Sequence, residues 1–302
     1  MESASQRVIA FVGTGVMGQS MVRHLLAAGH VVRVHTRTRD RATALLDLGA
    51  TWADDPRTAA DGSDIAISIV GYPRDVEEVH LGSKGTLQAA RPPRHLIDMT
   101  TSSPALAVRI AAIAETRGVA ALDAPVSGGD IGARNATLSI MVGGDRDAFD
   151  AVRPVLATLG KTIVRQGEAG AGQHTKMVNQ ILIAGTMMGV SEGLLYARKA
   201  GLDPATVVAS VGVGAAGSWT VENLVPRILR GDFQPGFFIE HFVKDLGIAL
   251  DAAAEMGLDL PAVALAKRLY EAAIADGYGR SGTQALFRSL AERAGERVEV
   301  QG

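Results

Sequence analysis

The chain contains no cysteine, and only 4% of its 302 residues are aromatic. The absence of cysteine excludes disulfide bonds, thiolate nucleophiles and cysteine metal sites. Its 30 lysines and arginines nearly balance 32 aspartates and glutamates, which gives a formal net charge of -2. This balance gives no support to nucleic-acid binding or to attraction to a membrane surface. The seven histidines lack metal-ligand spacing such as H-x-x-x-H, so we predict no metal site.

Long apolar runs are also scarce. The longest, residues 177–197, approaches the roughly 20 residues of a membrane span. Polar residues such as Glu192 interrupt it, and Gly185, Gly189 and Gly193 form a smooth stripe that another backbone can approach closely. We therefore predict a buried central helix rather than a span. The N-terminal segment lacks the profile of a secretory signal, so a cytoplasmic location is the default prediction.

A glycine-rich turn follows the first strand pattern. Residues 8–12 lead into the sequence G-T-G-V-M-G, and a second strand pattern at 31–35 arrives at the spacing of a βαβ unit. In such a unit the first glycine allows a tight turn, the second lets backbone approach a pyrophosphate, and the third permits close helix packing. A turn that serves packing alone is the alternative. We predict a dinucleotide site that includes Gly13, Gly15, Val16, Met17 and Gly18.

The end of the second strand pattern discriminates between cofactors. An NAD site usually offers a carboxylate there to the ribose 2′-hydroxyl. This chain instead has Arg37 and Thr38, a guanidinium and a hydroxyl that could hold a 2′-phosphate. Ordinary surface arginines are the alternative. NADP is therefore the preferred cofactor, with NAD as the second choice.

Two kinds of pattern divide the chain. Strand patterns lie near residues 8–12, 31–35, 65–70, 95–98, 119–122 and 162–165, and alternate with helical patterns near 16–28, 39–48, 104–117 and 146–159. This alternation predicts a parallel sheet with helices on both faces. Helical patterns then follow one another near 172–200, 204–213, 219–230, 240–256, 261–277 and 284–290. We predict an α/β Rossmann-type NAD(P)-binding domain over residues 1–166 and an all-α substrate and oligomerisation domain over 167–302, built around a long interdomain helix.

Two loops that follow strand patterns carry polar groups. Residues 123–129, D-A-P-V-S-G-G, end in Ser127, Gly128 and Gly129, whose hydroxyl and backbone amides suit a carboxylate. A mere turn is the alternative, because proline, serine and glycine dominate turns. For most of residues 98–104, D-M-T-T-S-S-P, a helix N-cap is the preferred interpretation.

A lysine and an amide lie one helical turn apart after a second glycine turn. Lys176 and Asn179 follow Gly170, and residues three apart share a helix face. Together they could hold a substrate oxygen and move a proton to or from it. A solvated surface lysine is the alternative. Lys244 stands beside Asp245 in an apolar setting, where an internal salt bridge is an equal alternative to a role in the site.

Four of these motifs, in this order, resemble those of the β-hydroxyacid dehydrogenases, a family that includes 3-hydroxyisobutyrate dehydrogenase, tartronate semialdehyde reductase and glyoxylate or succinic semialdehyde reductases. The four motifs are residues 13–18, 123–129, 170–179 and 244–246. The resemblance covers nearly the whole chain, about residues 7–290. It implies an NADP- or NAD-dependent oxidoreductase that acts on a small β-hydroxy acid or semialdehyde, with a C-terminal domain like that of 6-phosphogluconate dehydrogenase. It also implies a homodimer or homotetramer with a small carboxylic acid as substrate.

The resemblance assigns roles to individual residues. It implies that Lys176 is the catalytic general acid or base and that Asn179 orients the substrate. It places Ser127, Gly128 and Gly129 at the substrate carboxylate, and Lys244 near both substrate and nicotinamide. The remaining implied cofactor contacts are Val70, Gly71, Tyr72 and Thr101.

The sequence departs from the family pattern at two places, and the first of them blurs the substrate class. Gln180 stands where many members have a second asparagine, and Gly71 with Tyr72 replaces a more usual apolar pair. The related imine reductases share the architecture but generally lack the lysine, so Lys176 argues against that alternative. A non-catalytic NADP-binding sensor is the alternative from another class, since a fold does not guarantee an activity.

Overall fold

A computed structural model of the chain describes residues 6–299. These residues form two compact units, the first ending at Lys176 and the second beginning at Met177. The first unit holds a nine-stranded sheet, and the second is built from helices. The predicted fold class, a Rossmann-type sheet followed by a helical domain, is confirmed. The domain boundary between residues 166 and 167 stays a prediction.

The sheet of the first unit is parallel over most of its width. Its strands are β1 (Val8–Val12), β2 (Val31–His35), β3 (Thr51–Trp52), β4 (Ile65–Ser68), β5 (His95–Asp98), β6 (Ala120–Asp123), β7 (Val126–Ser127), β8 (Leu138–Gly143) and β9 (Gly160–Gly167). They lie in the order β3-β2-β1-β4-β5-β6-β8-β7, with β9 paired to β8. The six strands from β3 to β6 pair in parallel.

The parallel sheet that the sequence predicts has antiparallel pairs at its far edge. Strand β8 pairs antiparallel with both β6 and β7, and β9 pairs parallel with β8. Strand β8, with the apolar sequence L-S-I-M-V-G, is absent from the strands predicted from sequence. Strand β7 is also absent, and it has only two residues. Parallel neighbours need a crossover connection, and a helix over residues 146–156 lies between β8 and β9.

Polar side chains cap several helices of the first unit. The helices of this unit are α1 (Val16–Ala27), α2 (Thr43–Leu46), α3 (Pro56–Ala60), α4 (Pro73–Leu81), α5 (Pro104–Glu115), α6 (Gly129–Arg134) and α7 (Arg146–Leu156). The side chains of Asp55, Ser103 and Asp145 each accept a backbone N–H from the first turn of α3, α5 and α7. The N-cap interpretation of the segment before residue 104 is therefore confirmed for Ser103.

Helix α8 (Ala171–Lys199) extends from the first unit into the second, which contains α9 (Pro204–Val211), α10 (Trp219–Asn223), α11 (Val225–Leu229), α12 (Ile239–Glu255), α13 (Pro261–Ala273) and α14 (Leu286–Arg293). Gly201, at φ +71°, and the capping carboxylate of Asp203 separate α8 from α9. The single helix predicted over 219–230 is two helices, α10 and α11. The break lies beside Pro226, which has no backbone N–H to donate.

The core of the second unit is centred on three aromatic side chains. Phe242, Tyr270 and Phe287 are fully buried, and the Phe242 and Tyr270 rings meet edge to face with centroids 5.0 Å apart. The Tyr270 hydroxyl donates a hydrogen bond to the Thr283 carbonyl at 3.1 Å, so its burial leaves no unpaired donor.

One face of α8 corrects the prediction of a buried central helix. Leu182 and Tyr196 are 66% and 75% exposed, and Gly185, Gly189 and Gly193 on the same face are exposed as well. A Cβ added at any of these three glycines would meet no heavy atom within 4 Å. Within residues 6–299, no helix has the length and hydropathy needed to cross a membrane.

Candidate active site

The last residues of five neighbouring strands form a row along one edge of the sheet. The strand register pairs His35 with Val12, Val12 with Ser68, Ser68 with Asp98, and Asp98 with Asp123. Predicted site segments follow these strands in the chain, at residues 37–38, 13–18, 70–72, 101 and 127–129. The topology therefore gathers the first unit's candidates at the carboxyl ends of the strands, where open α/β sheets bind ligands.

The three glycines of the first turn differ in what surrounds them. A Cβ on Gly13 would lie 2.0 Å from the Ile69 carbonyl oxygen, and one on Gly18 would lie 2.0 Å from the Gly13 carbonyl oxygen. A Cβ on Gly15 would meet no heavy atom within 4 Å. The outer glycines thus permit internal packing, while the middle glycine leaves backbone open to an approaching group. This turn, at the start of α1, fits a dinucleotide pyrophosphate.

Arg37 contacts the segment that follows β4. Its guanidinium lies 3.7 Å from the Asp75 carboxylate, and its side chain is 86% exposed. Asp75 also accepts the backbone N–H of Tyr72 at 3.1 Å. Two predicted cofactor segments, at the ends of β2 and β4, therefore share Asp75 as a partner.

A chain of buried hydrogen bonds lies behind this edge. The Ser68 hydroxyl donates to Asp98 Oδ1 at 2.8 Å and lies 2.8 Å from His80 Nε2. His80 Nδ1 lies 2.9 Å from the Thr86 hydroxyl. All four side chains are buried. Because Ser68 has a single proton and gives it to Asp98, His80 Nε2 must donate to Ser68, and Nδ1 then accepts from Thr86.

Burial sets the protonation of this chain. Burial lowers the pKa of His80 to about 3, so the imidazole is neutral, as the hydrogen bonds require. Burial also raises the pKa of Asp98 to about 6, while hydrogen bonds from Thr100 and Ser68 oppose the rise. The same carboxylate accepts the backbone N–H of Thr100 at 3.1 Å, and the Thr100 hydroxyl accepts the N–H of Val70 at 3.0 Å. The chain therefore holds the loops after β4 and β5 together.

The Asp123 carboxylate holds the start of α8. Its Oδ1 accepts the N–H of Gly170 at 2.7 Å, and its Oδ2 accepts that of Gln173 at 2.8 Å. Burial raises the pKa of Asp123 to about 6, and these backbone donors lower it. A Cβ on Gly172 would lie 2.4 Å from the Met141 carbonyl oxygen, so the helix start packs directly on the strands.

Lys176 lies beside the predicted carboxylate segment. The side chain is only 6% exposed, and its Nζ donates to the Val126 carbonyl at 2.9 Å. Val126 precedes Ser127 in β7, and the turn itself begins at Gly128 with φ +124°. The alternative of a solvated surface lysine is therefore wrong.

The candidates of the second unit form a connected polar group. Asn179 Nδ2 donates to Gln180 Oε1 at 2.7 Å, and Gln180 Nε2 donates to Asp245 Oδ2 at 2.6 Å. Asp245 is buried and pairs with Lys244 Nζ at 3.0 Å. The internal salt bridge offered as an alternative for Lys244 is present. Gln180, the departure from the family pattern, links Asn179 to this pair.

The fold, the glycine turn and the row of strand ends define a dinucleotide-binding protein. Residues 8–167 match the family model described as the NAD binding domain of 6-phosphogluconate dehydrogenase. Residues 170–290 match the model described as NAD-binding of NADP-dependent 3-hydroxyisobutyrate dehydrogenase. The chain belongs to the 3-hydroxyisobutyrate dehydrogenase, or β-hydroxyacid dehydrogenase, family. It is an NAD(P)-dependent oxidoreductase of the 3-hydroxyacid dehydrogenase and reductase type.

Relatives at several distances agree with this assignment. A probable 3-hydroxyisobutyrate dehydrogenase-like protein of Arabidopsis thaliana, described as mitochondrial, is 48% identical over 95% of this chain and 86% of its own length. The 2-hydroxy-3-oxopropionate reductase of Escherichia coli is 40% identical over 93% of this chain and 96% of its own. A structure of Mycobacterium tuberculosis 3-hydroxyisobutyrate dehydrogenase with L-serine has a TM-score of 0.87 at 33% identity, covering 94% and 99% of the two chains. The cytoplasmic location stays a prediction.

The prediction from sequence missed three buried polar residues behind the site. Ser68, His80 and Gln173 were given no role, although each makes a hydrogen bond that holds a candidate loop or helix. Ser68 ends an apolar strand and His80 lies on a predominantly polar helix. A polar residue at the end of a buried strand was the available signal.

We expect the substitution Asp98→Asn to make the protein more stable than the wild type at neutral pH but not in acid. Because burial raises the pKa of Asp98 from 3.8 to about 6, the native state keeps a proton that the unfolded state releases between these values. The contribution of Asp98 to wild-type stability therefore falls by about 1.4 kcal/mol per pH unit across this window, about 3 kcal/mol in all. Asparagine keeps the acceptor oxygen and has no such cost. Urea unfolding at about pH 4 and about pH 7 measures the difference.

Asp203→Asn is the opposite control. Hydrogen bonds from Thr206 and Ala205 lower the pKa of Asp203, so its stabilising contribution is present above the unfolded-state pKa and is lost as the pH falls. This variant should lose stability relative to the wild type as the pH rises. A difference between Asp98→Asn and wild type that does not change with pH would contradict the raised pKa.

Proposed function

We propose that the protein transfers a hydride between NADP(H) and a small β-hydroxy acid or its semialdehyde, with Lys176 as the general acid or base. The observation that carries the proposal is the hydrogen bond from the buried Lys176 amine to the carbonyl of Val126, the residue that precedes Ser127. A buried amine held at the strand that carries Ser127 and leads into a two-glycine turn suits a substrate that has both a carboxylate and a reacting oxygen.

The substrate class rests on the family and on the same turn. Relatives are named for 3-hydroxyisobutyrate and for 2-hydroxy-3-oxopropionate, both small acids. In this proposal Ser127, Gly128 and Gly129 bind the carboxylate through the hydroxyl and backbone N–H groups. Asn179, one turn after Lys176 on α8, orients the reacting oxygen, and Lys244 lines the same substrate and nicotinamide region.

The path of the transferred proton follows from the position of Lys176. In oxidation the neutral amine accepts the hydroxyl proton of the substrate while the hydride leaves the same carbon; in reduction the ammonium returns that proton to the carbonyl oxygen. NADP(H), when bound, supplies or accepts the hydride at its nicotinamide ring. The hydrogen bond to Val126 holds the amine in place, so that the lysine does not have to be ordered when substrate binds.

The proposed cofactor site follows the row of strand ends. The N-terminus of α1 and the glycine turn receive the pyrophosphate. The contacts in this proposal are Gly13, Gly15, Val16, Met17, Gly18, Val70, Gly71, Tyr72, Thr101 and Lys244. Arg37 and Thr38 receive the 2′-phosphate, which favours NADP over NAD. The exposed ion pair between Arg37 and Asp75 is of a kind that contributes only about 0–1 kcal/mol, so a phosphate can replace the carboxylate.

We also propose that the protein is a homodimer or homotetramer whose interface includes the exposed face of α8 and helix α9. Val178, Leu182 and Tyr196 expose large apolar side chains along α8. Helix α9, with the sequence P-A-T-V-V-A-S-V, has no buried residue. Large exposed apolar side chains grouped along one helix face mark an interaction site, and the glycines between those of α8 permit close approach of a second backbone.

Substitution of the proposed acid–base group should abolish most of the activity. We expect Lys176→Ala to lower kcat by about 10²- to 10⁴-fold, the usual contribution of a positioned proton-transfer group, while cofactor still binds. The measurement is reduction of NADP⁺ and NAD⁺ with a panel of small 3-hydroxy acids and 4-hydroxybutyrate, with semialdehydes for the reverse reaction. Lys161→Ala, at an exposed lysine of β9, is the control. Near-normal turnover in Lys176→Ala would refute the assignment.

Cofactor preference should depend on one guanidinium. We expect Arg37→Ala to raise KM for NADP⁺ by about 10- to 100-fold, because a hydrogen bond to a charged group contributes about 1.5–3 kcal/mol. KM for NAD⁺, which has no 2′-phosphate, should change little. Arg23→Ala removes an equal charge from an exposed position on α1 and serves as the control. Equal changes for both cofactors would argue against a 2′-phosphate contact at Arg37.

The assembly should respond to a charge on α8. Leu182→Arg places a guanidinium in the proposed apolar interface, and we expect the mass measured by light scattering to fall to that of a monomer. Asp251→Arg, at an exposed position on α12, should leave the mass unchanged. A monomeric wild-type protein would rule out the proposed interface.

A further inference from the structure

A buried amide side chain joins two segments of the candidate site. Gln173 is 0% exposed. Its Oε1 accepts the N–H of Ser102 at 2.9 Å, and its Nε2 donates to the carbonyl of Thr100 at 2.7 Å. These two backbone groups flank Thr101, a proposed cofactor contact. One side chain therefore holds both sides of the peptide segment that carries Thr101.

The same residue is fixed at its backbone. Gln173 lies three residues before Lys176 on α8, and its N–H donates to Asp123 Oδ2 at 2.8 Å. The helix start is in close contact with the strands, because a Cβ on Gly172 would lie 2.5 Å from the Asp123 carbonyl oxygen. Thr101 and Lys176 thus both take their positions from groups that meet at Gln173.

The chemistry of the side chain matches this arrangement. A carboxamide carries an acceptor and a donor on one carbon, so it can satisfy a backbone N–H and a backbone carbonyl two residues apart at the same time. Methionine has nearly the same length and would leave both backbone groups buried without their present partner. Asparagine keeps the amide but is one methylene shorter, so it cannot reach both groups from the same backbone position.

We propose that Gln173 is a positioning residue that sets the distance between the cofactor segment at Thr101 and the amine of Lys176. Gln173 touches neither substrate nor cofactor in this scheme. It acts through the segment around Thr101 and through the start of α8, which carries Lys176. The inference rests on the proposed function, because it requires Lys176 to be the proton-transfer group.

The test is a double-mutant cycle with Gln173→Met and Lys176→Ala. We expect Gln173→Met alone to lower kcat by about 10- to 100-fold, the effect of a displacement of about 1 Å at a reacting group. KM for the substrate and the dissociation constant for NADPH should change by less than about threefold. In the Lys176→Ala background, the same substitution should lower kcat by less than about threefold, because residues that act as one unit are not additive.

Gln284→Met is the matched control for loss of a buried amide. Gln284 is buried and its Nε2 donates to the carbonyls of Asp232 and Gln234, neither of which is a site candidate. Both methionine variants should lower the melting temperature, but only Gln173→Met should lower kcat. Gln173→Asn provides a second variant if Gln173→Met does not fold, and the same loss of kcat is expected from it.

The outcomes separate the two proposals. If Lys176→Ala keeps its turnover, the proposed function is wrong whatever Gln173 does. If Lys176→Ala is inactive, two results overturn the positioning role alone. Either Gln173→Met lowers kcat by the same factor with and without Lys176, or it lowers the melting temperature and leaves kcat unchanged.

Discussion

The site depends first on the Asp123 carboxylate at the start of α8. Burial of the ionised Asp123 carboxylate at the end of β6 is costly, and this cost raises the pKa of Asp123 to about 6. The N–H groups of Gly170 and Gln173 offset this cost, as does the positive end of a helix of 29 residues. The interaction joins the last residue of β6 to the helix that carries Lys176. The end of strand β6 therefore positions Lys176 through the start of α8.

The features predicted correctly from sequence are those with short-range causes. Strands β1 and β2 were placed with the bounds that the structure has, because each is a compact β-branched run bounded by turns. The start of α9 followed from Gly201, Asp203 and the proline after it, and the structure shows the predicted cap. Glycine spacing in the first turn predicted a βαβ unit because the three glycines are required within one loop.

The features that were missed depend on contacts between distant parts of the chain. Gln173 meets residues 71 and 73 positions away, and Ser68 meets Asp98 30 positions away. Their pairing follows from strand register and helix placement, which no local pattern encodes. The exposed face of α8 was predicted as buried for a related reason. An apolar stripe predicts that a surface is covered, but not whether the cover comes from the same chain.

The hydrogen-bonded chain from Thr86 through His80 and Ser68 to Asp98 has a direction. Each member donates toward the carboxylate, so removal of any one leaves its neighbour with an unmatched donor or acceptor in a buried place. Single replacements that remove the polar group at position 68, 80 or 86, or the acceptor oxygen at position 98, are therefore each unfavourable. Apolar replacement at 68, 80 and 86 together removes these mismatches from one another, but position 98 must still accept the N–H of Thr100. During evolution the polar side chains at positions 68, 80 and 86 should therefore change together, while position 98 keeps an acceptor for the N–H of Thr100.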